Sequence, residues 1–175
     1  MLKKKILKGS VLLLAVTTLA GCAAQSPSAN TPTPTPTPSS TPSTATSITY
    51  SNTLYGFTFT LPLSWTGYTT VNNSWRGIDP NTNKTVQSGS LILIRNPLWT
   101  AAKKRQDIPI MVFTIGQWDS LIRQEYNVGA APMPPSELGR NAQFVFALPA
   151  RYNYAFPTGF EEVDKILQGK PLHTS

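Results

Sequence analysis

From Tyr55 to Leu61 apolar residues alternate with threonine, and period two over seven residues predicts a half-buried strand that Pro62 closes. Residues 66–73 are read as a returning strand, with turn residues at Asn72-Asn73 and again at Asp79-Pro80-Asn81-Thr82-Asn83. Leu91-Ile92-Leu93-Ile94 is apolar on both faces, which predicts a central strand. Residues 110–115 and 143–148 predict two more. Trp118, Leu121, Ile122 and Tyr126 recur at helical spacing, with Asp119, Arg123 and Gln124 off that stripe. A last helix is signed more fully: Thr158-Gly159-Phe160-Glu161 reads as a capping box, Phe160, Val163 and Leu167 share a face, and Gly169 with Pro171 supplies the stop. Strands dominate the first half and helices interrupt the second. The expected class is α+β, an antiparallel or mixed sheet with helices packed on it.

The amino terminus follows another pattern. Lys3, Lys4, Lys5 and Lys8 precede a short apolar run from Val11 to Leu19, too short to span a bilayer, which needs roughly 20 apolar residues. The run ends in Leu19-Ala20-Gly21-Cys22, which resembles the lipobox of bacterial lipoproteins at every position. That resemblance implies that residues 1–21 are a removable signal peptide. It also implies that Cys22 is lipidated, becoming the first mature residue on the outer face of the bacterial cytoplasmic membrane, or of the outer membrane in a Gram-negative source. One acyl chain anchors only marginally, at about 0.8 kcal/mol per buried CH2, whereas the two or three chains of such a lipoprotein anchor stably.

Residues 22–47 follow as the lipidated cysteine and a Thr/Pro/Ser-rich spacer containing Thr31-Pro32-Thr33-Pro34-Thr35-Pro36-Thr37-Pro38. Proline at this density predicts polyproline II, about 3.1 Å per residue, so the 22 residues from Ser26 to Ser47 reach roughly 68 Å when fully extended. Residues 48–175 are then expected to form one globular domain.

Charge and composition narrow the chemistry. The chain carries 15 Lys and Arg against 8 Asp and Glu, a formal +7, but without the four leader lysines the balance is +3. That excess is too small for a nucleic-acid surface, and no nucleic-acid partner is expected. One Cys and one His leave no disulfide, no Cys-rich zinc site and no Cys/His nucleophile pair. His173 lies beyond Pro171 in a tail expected to fray, so no catalytic residue is assigned. Asp79-Pro80-Asn81-Thr82-Asn83-Lys84 begins like a calcium loop. Lys84 replaces the required Gly and Ser90 the bidentate Glu, so a hairpin turn is expected, with no metal and no cofactor. Glu161, Glu162 and Asp164 fall in the first turns of the last helix, where the macrodipole favours them.

Several features remain as possible ligand or partner surfaces. Arg151, Tyr152, Tyr154 and Phe156 stand where a strand hands over to the last helix. Trp99 stands near the basic run Lys103-Lys104-Arg105, able in principle to touch phosphates of lipid or teichoic acid. Trp65, Trp75, Trp99 and Trp118 offer a sugar-stacking platform or, as the weightier reading, core packing. The loop from Gly129 to Pro135 is small-residue-rich and reads as a connection or a partner-binding loop.

The string from Tyr55 to Pro62 followed by Trp65, with the later strand and the terminal helix, resembles the PsbP/Mog1-like α/β/α sandwich group. Asp107-Ile108-Pro109-Ile110-Met111-Val112-Phe113, Leu138-Gly139-Arg140-Asn141 and Leu148-Pro149-Ala150-Arg151-Tyr152-Asn153-Tyr154 are similar to segments of small lipoproteins of Gram-positive bacteria. Members of the wider group mostly assist or bind other proteins and share no catalytic centre, so the resemblance implies no active-site residues. The function expected is a membrane-tethered extracytoplasmic domain that binds a protein or envelope component without catalysis. The alternative is an envelope glycan or wall-polymer enzyme working with a pair of acidic residues.

Overall fold

A computed structural model of the chain describes residues 45–130 and 133–175. The leader, Cys22 and the spacer up to residue 44 lie outside the described residues, as do Ala131 and Pro132 of the small-residue loop.

The Phe/Thr alternation becomes β2 (Phe57–Pro62), with Phe57, Phe59 and Leu61 buried and the residues between them half-buried. β1 (Ser47–Asn52) runs antiparallel to it, from Ser47 opposite Pro62 to Asn52 opposite Phe57. This strand begins at Ser47, inside the stretch read as spacer. It has only Ile48 and Tyr50 to bury, which is why periodicity does not flag it. A 3₁₀ turn at Leu63–Trp65 then leads into a long antiparallel hairpin of β3 (Thr69–Ile78) and β4 (Thr85–Arg95).

Asn72 and Asn73 are not a turn. They sit mid-strand opposite Ile92 and Leu91, where pairing with an apolar strand overrides the local preference of asparagine. The expected turn at Asp79 is present: its Oδ1 accepts from the N–H of Asn81 at 2.7 Å and of Thr82 at 3.2 Å, and those bonds hold the carboxyl below its ordinary pKa.

β5 (Ile108–Thr114) follows, buried at every position but the last. Ile115, expected to end that strand, instead opens α1 (Ile115–Ile122). Thr114 explains the switch. Its side chain accepts from the N–H of Gln117, and Gln117 Oε1 accepts from the N–H of Thr114, so a reciprocal capping box turns the chain. The helix stops four residues short of Tyr126, with Gln124 at φ 60° just beyond it. Ile122 is exposed, while Tyr126 is still buried, reached from the turn.

β6 (Asn127–Val128), β7 (Ser136–Arg140) and β8 (Phe144–Leu148) precede α2 (Phe160–Gln168) and β9 (Leu172–Thr174). The capping box expected at Thr158 does not form. Gly159, at φ 87°, is the N-cap, a left-handed position natural for glycine, and the Thr158 carbonyl accepts from Gln106 instead. Nor does the carboxy terminus fray: Leu172 and His173 pair with Phe59 and Thr58.

Every described strand pair is antiparallel, in a six-stranded sheet of order β6-β3-β4-β5-β8-β7 and a three-stranded sheet of order β1-β2-β9. With two short helices added, the class is α+β.

β5 and β8 form a shared wall between two cores. Ile108, Ile110, Val112 and Phe146 face one side, meeting Phe57, Phe59 and Leu61 of β2, Trp65, Val163 of α2 and Leu172 of β9. Met111, Phe113, Val145 and Ala147 face the other, meeting Trp75, Tyr126 and the α1 residues Trp118 and Leu121. Each fully buried side chain of this size contributes about 1.5–3 kcal/mol, so the large sheet is stabilised from both faces. Gly89 on β4 is required by close packing: a Cβ there would lie 2.5 Å from the ring of Trp75, which crosses it to donate from Nε1 to the Val112 carbonyl at 2.9 Å.

Candidate ligand-binding surface

Two connections meet at one end of the large sheet. The first, residues 96–107, joins β4 to β5. Since Ile94 pairs with Ile108, Arg95 and Asp107 are the next residues outward. Arg95 donates from Nε and Nη2 to Asp107 Oδ2, each at 3.2 Å, and its guanidinium carbon lies 4.0 Å from the centre of the Trp99 ring. This cation–π contact leaves Trp99 half-buried. Asn96 is buried and shapes the bend, its Oδ1 accepting from Leu98 N–H at 2.9 Å. Beyond it Leu98, Lys103 and Lys104 are exposed.

The second connection, residues 149–159, joins β8 to α2 as successive tight turns: Tyr154 N–H donates to the Arg151 carbonyl and Phe156 N–H to that of Asn153. Arg151 and Phe156 have φ of 54° and 45°, a backbone region that costs a non-glycine residue of order 1 kcal/mol or more. Asp164 of α2 holds the segment down, accepting from the Tyr152 hydroxyl and from Asn153 Nδ2. Burial, with Asp164 beside it, pushes the Tyr152 hydroxyl far above its ordinary pKa.

The two connections are joined where Gln106 N–H donates to the Thr158 carbonyl at 2.9 Å, with Arg105 beside Gly159. The sequence candidates therefore divide. Arg151 and Tyr154 are exposed, the guanidinium 5.7 Å from the tyrosine ring centre, and Phe156 stands out beside them while touching Phe160 edge-on. Tyr152 is an anchor, its ring against the core and its hydroxyl on Asp164. Trp99 presents its ring to Arg95. Trp65, Trp75 and Trp118 are buried in the two cores, so no four-tryptophan platform forms.

Among the described residues, no carboxylate lies within ion-pair distance of Lys103, Lys104, Arg105 or Arg151. Two nearby acids are engaged, Asp107 with Arg95 and Asp164 with Tyr152 and Asn153, while Glu161 in the first turn of α2 is exposed. Elsewhere Glu125 pairs with Arg123 and Glu137 with Arg140, each carboxyl held below its ordinary pKa by the guanidinium bond.

Sequence reasoning missed two concavities. On the second face of the large sheet, a cavity of about 420 Å³ is lined by Trp75, Leu91, Met111, Val128, Pro135 and Pro149. Near the amino-terminal entry, a groove of about 570 Å³ runs between Thr46, Ser47, Pro62 and α2, from Glu162 to Gly169 beyond its end. Ser64, Glu162, Lys165 and His173 line it, and Ser64 Oγ donates to Glu162 Oε1 at 2.8 Å. A nucleophile relay needs the histidine between serine and carboxylate. Here the serine binds the carboxylate directly, so this is not one. No sequence signal joined these residues, because strand pairing brings His173 back across more than a hundred positions.

Among the described residues, no group of three His, Cys, Asp or Glu side chains is placed to hold a metal, and no helix is long and apolar enough to cross a membrane. The chain matches no protein-family model, no curated protein sequence and no solved structure.

Proposed function

We propose that this chain is a lipoprotein tethered through Cys22 to the outer face of the bacterial cytoplasmic membrane, and that its domain binds a protein or envelope component without catalysing a reaction. The lipobox-like string at residues 19–22 and the Thr/Pro/Ser-rich stretch support the tether. The observation that carries the binding role is the joined pair of connections, which between them expose Leu98, Lys103, Lys104, Arg151, Tyr154 and Phe156 while Asp107 and Asp164 are engaged internally. The finer fold reading is a PsbP/Mog1-like α/β/α sandwich. It draws support from the β2 string and from α1 and α2 packing on opposite faces of one antiparallel sheet.

A wall-polymer enzyme would need two carboxylates facing each other across one cleft, roughly 5–10 Å apart. Of the five cavities described, four have no carboxylate in their lining and the groove near Ser47 has one, Glu162.

A photo-crosslinking residue placed at Tyr154 in intact cells tests the reading. It is expected to give a discrete adduct with an envelope component, and the same residue at Asn81, in the β3–β4 turn, is expected to give none. Absence of an adduct from position 154, or equal adducts from both positions, would overturn it.

A further inference from the structure

The chemistry of the joined connections identifies a partner more closely than binding in general; the inference rests on the reading just given and deepens it. We infer that residues 96–106 and 149–158 dock the domain face-down on an anionic lipid bilayer, beside the membrane that holds its tether.

Two properties occur together here. Leu98, Tyr154 and Phe156 are 62%, 72% and 69% exposed, and Tyr154 and Phe156 are the two aromatic side chains among the large exposed apolar residues described. The same two connections carry Lys103, Lys104, Arg105 and Arg151, Arg151 5.7 Å from the Tyr154 ring centre and Arg105 beside Gly159, all four without carboxylate partners among the described residues. Asp107, two residues from Arg105, is paired with Arg95, and Glu161 is exposed in the first turn of α2; against these a cationic excess remains. An anionic phosphate polymer in water would reward the cations only. The interfacial layer of an anionic bilayer rewards both, since aromatic rings settle at headgroup depth and each Lys or Arg near the surface adds about 1 kcal/mol.

The tether permits this pose. The second connection enters α2 at Phe160, and Thr46 and Ser47 line a groove that runs along the same helix from Glu162 to Gly169. The chain therefore enters the domain alongside the helix that the second connection leads into, and residues 26–47 would reach roughly 68 Å if fully extended. The bonds of Tyr152 and Asn153 to Asp164 tie the connection that carries Arg151, Tyr154 and Phe156 to α2.

The test uses residues 22–175 carrying Cys22→Ser, so that no lipid contributes. Every side chain of both cores lies between residues 48 and 172, and this chain retains the whole fold. Co-sedimentation is measured with vesicles of phosphatidylcholine alone and of phosphatidylcholine with phosphatidylglycerol. Binding is expected to the anionic vesicles and to weaken with salt. The variant Lys103→Gln/Lys104→Gln/Arg105→Gln is expected to lose about 100-fold, and Tyr154→Ser/Phe156→Ser about 10-fold. Both variants change exposed or half-buried positions, and their thermal unfolding is checked against the parent.

Equal binding to neutral and anionic vesicles, no binding to either, or undiminished binding by both variants would overturn the inference. So would undiminished binding by Tyr154→Ser/Phe156→Ser together with equal competition by a soluble glycerol-phosphate polymer, since charge alone would then be read. None of these outcomes depends on lipidation, so failure here leaves the crosslink from position 154 to decide the broader reading.

Discussion

Leu172→Ala separates the carboxy terminus as a structural strand from the carboxy terminus as a loose tail. Leu172 is 8% exposed, pairs with Phe59 in register, and packs into the core that holds Trp65 and Phe146. The strand is fixed on both sides: the Pro171 carbonyl accepts from Thr60 N–H at 2.9 Å, and Thr174 Oγ1 donates to the Arg140 carbonyl at 2.9 Å. Gly139 approaches so closely that a Cβ on it would lie 3.0 Å from a Leu172 methyl.

Truncating a buried leucine costs about 2–5 kcal/mol, and Leu172 lies at the rim of its core, so the lower part of that range, about 2–3 kcal/mol, is expected. In a domain of this size that lowers the Tm by about 10 °C. His173→Ala, one residue on and exposed, should stay within about 0.5 kcal/mol of the parent. Urea unfolding followed by tryptophan fluorescence reads both, with the slope m checked for constancy. If the two variants share a midpoint, β9 does not dock and the topology of the small sheet is wrong.

Thr114→Ala should cost about 1 kcal/mol by removing the α1 cap, whereas Thr158→Ala, an exposed residue whose side chain caps nothing, should be neutral; the reverse order in urea unfolding would return the capping box to the last helix. Gly89→Ala should destabilise by about 1–3 kcal/mol, because the ring of Trp75 must move and strain its bond to Val112; a neutral result would show that the ring does not cross β4 there. Burial pushes the Tyr126 hydroxyl up to about 12, so the unfolded chain, with tyrosine near 10, releases this proton first and stability should fall as pH rises from about 10 to 12. Tyr126→Phe loses the bond to the Gln117 carbonyl at neutral pH but should flatten that alkaline decline, and an unchanged slope would show that Tyr126 does not cause it.

Legibility followed the range of the forces involved. The alternation of β2 and the Asp79 turn are local, and the structure has both close to where the sequence puts them. β1 was not legible because its partner strand supplies nearly all the apolar surface. The true capping box, Thr114 with Gln117, was hidden inside an apolar run that reads as strand, and Thr158 mimicked one because the capping role had passed to a left-handed glycine. At the candidate surface the residue types were visible and their assembly was not. Nothing local joins Gln106 to Thr158 or Tyr152 to Asp164, yet those bonds decide which side chains stand out and which serve as anchors. The Arg95–Asp107 pair was the nearest to being readable: once Ile94 and Ile108 are paired across the connection, the ion pair follows as the next register position.

The proposed tether at Cys22 is tested most directly on the amino-terminal peptide of protein isolated from membranes, by mass spectrometry. The account predicts that the mature chain begins at Cys22 with a diacylglyceryl thioether on Sγ, and that Cys22→Ser abolishes that modification. A chain that begins elsewhere with a free Cys22 thiol, or one whose lipid labelling survives Cys22→Ser, would contradict it.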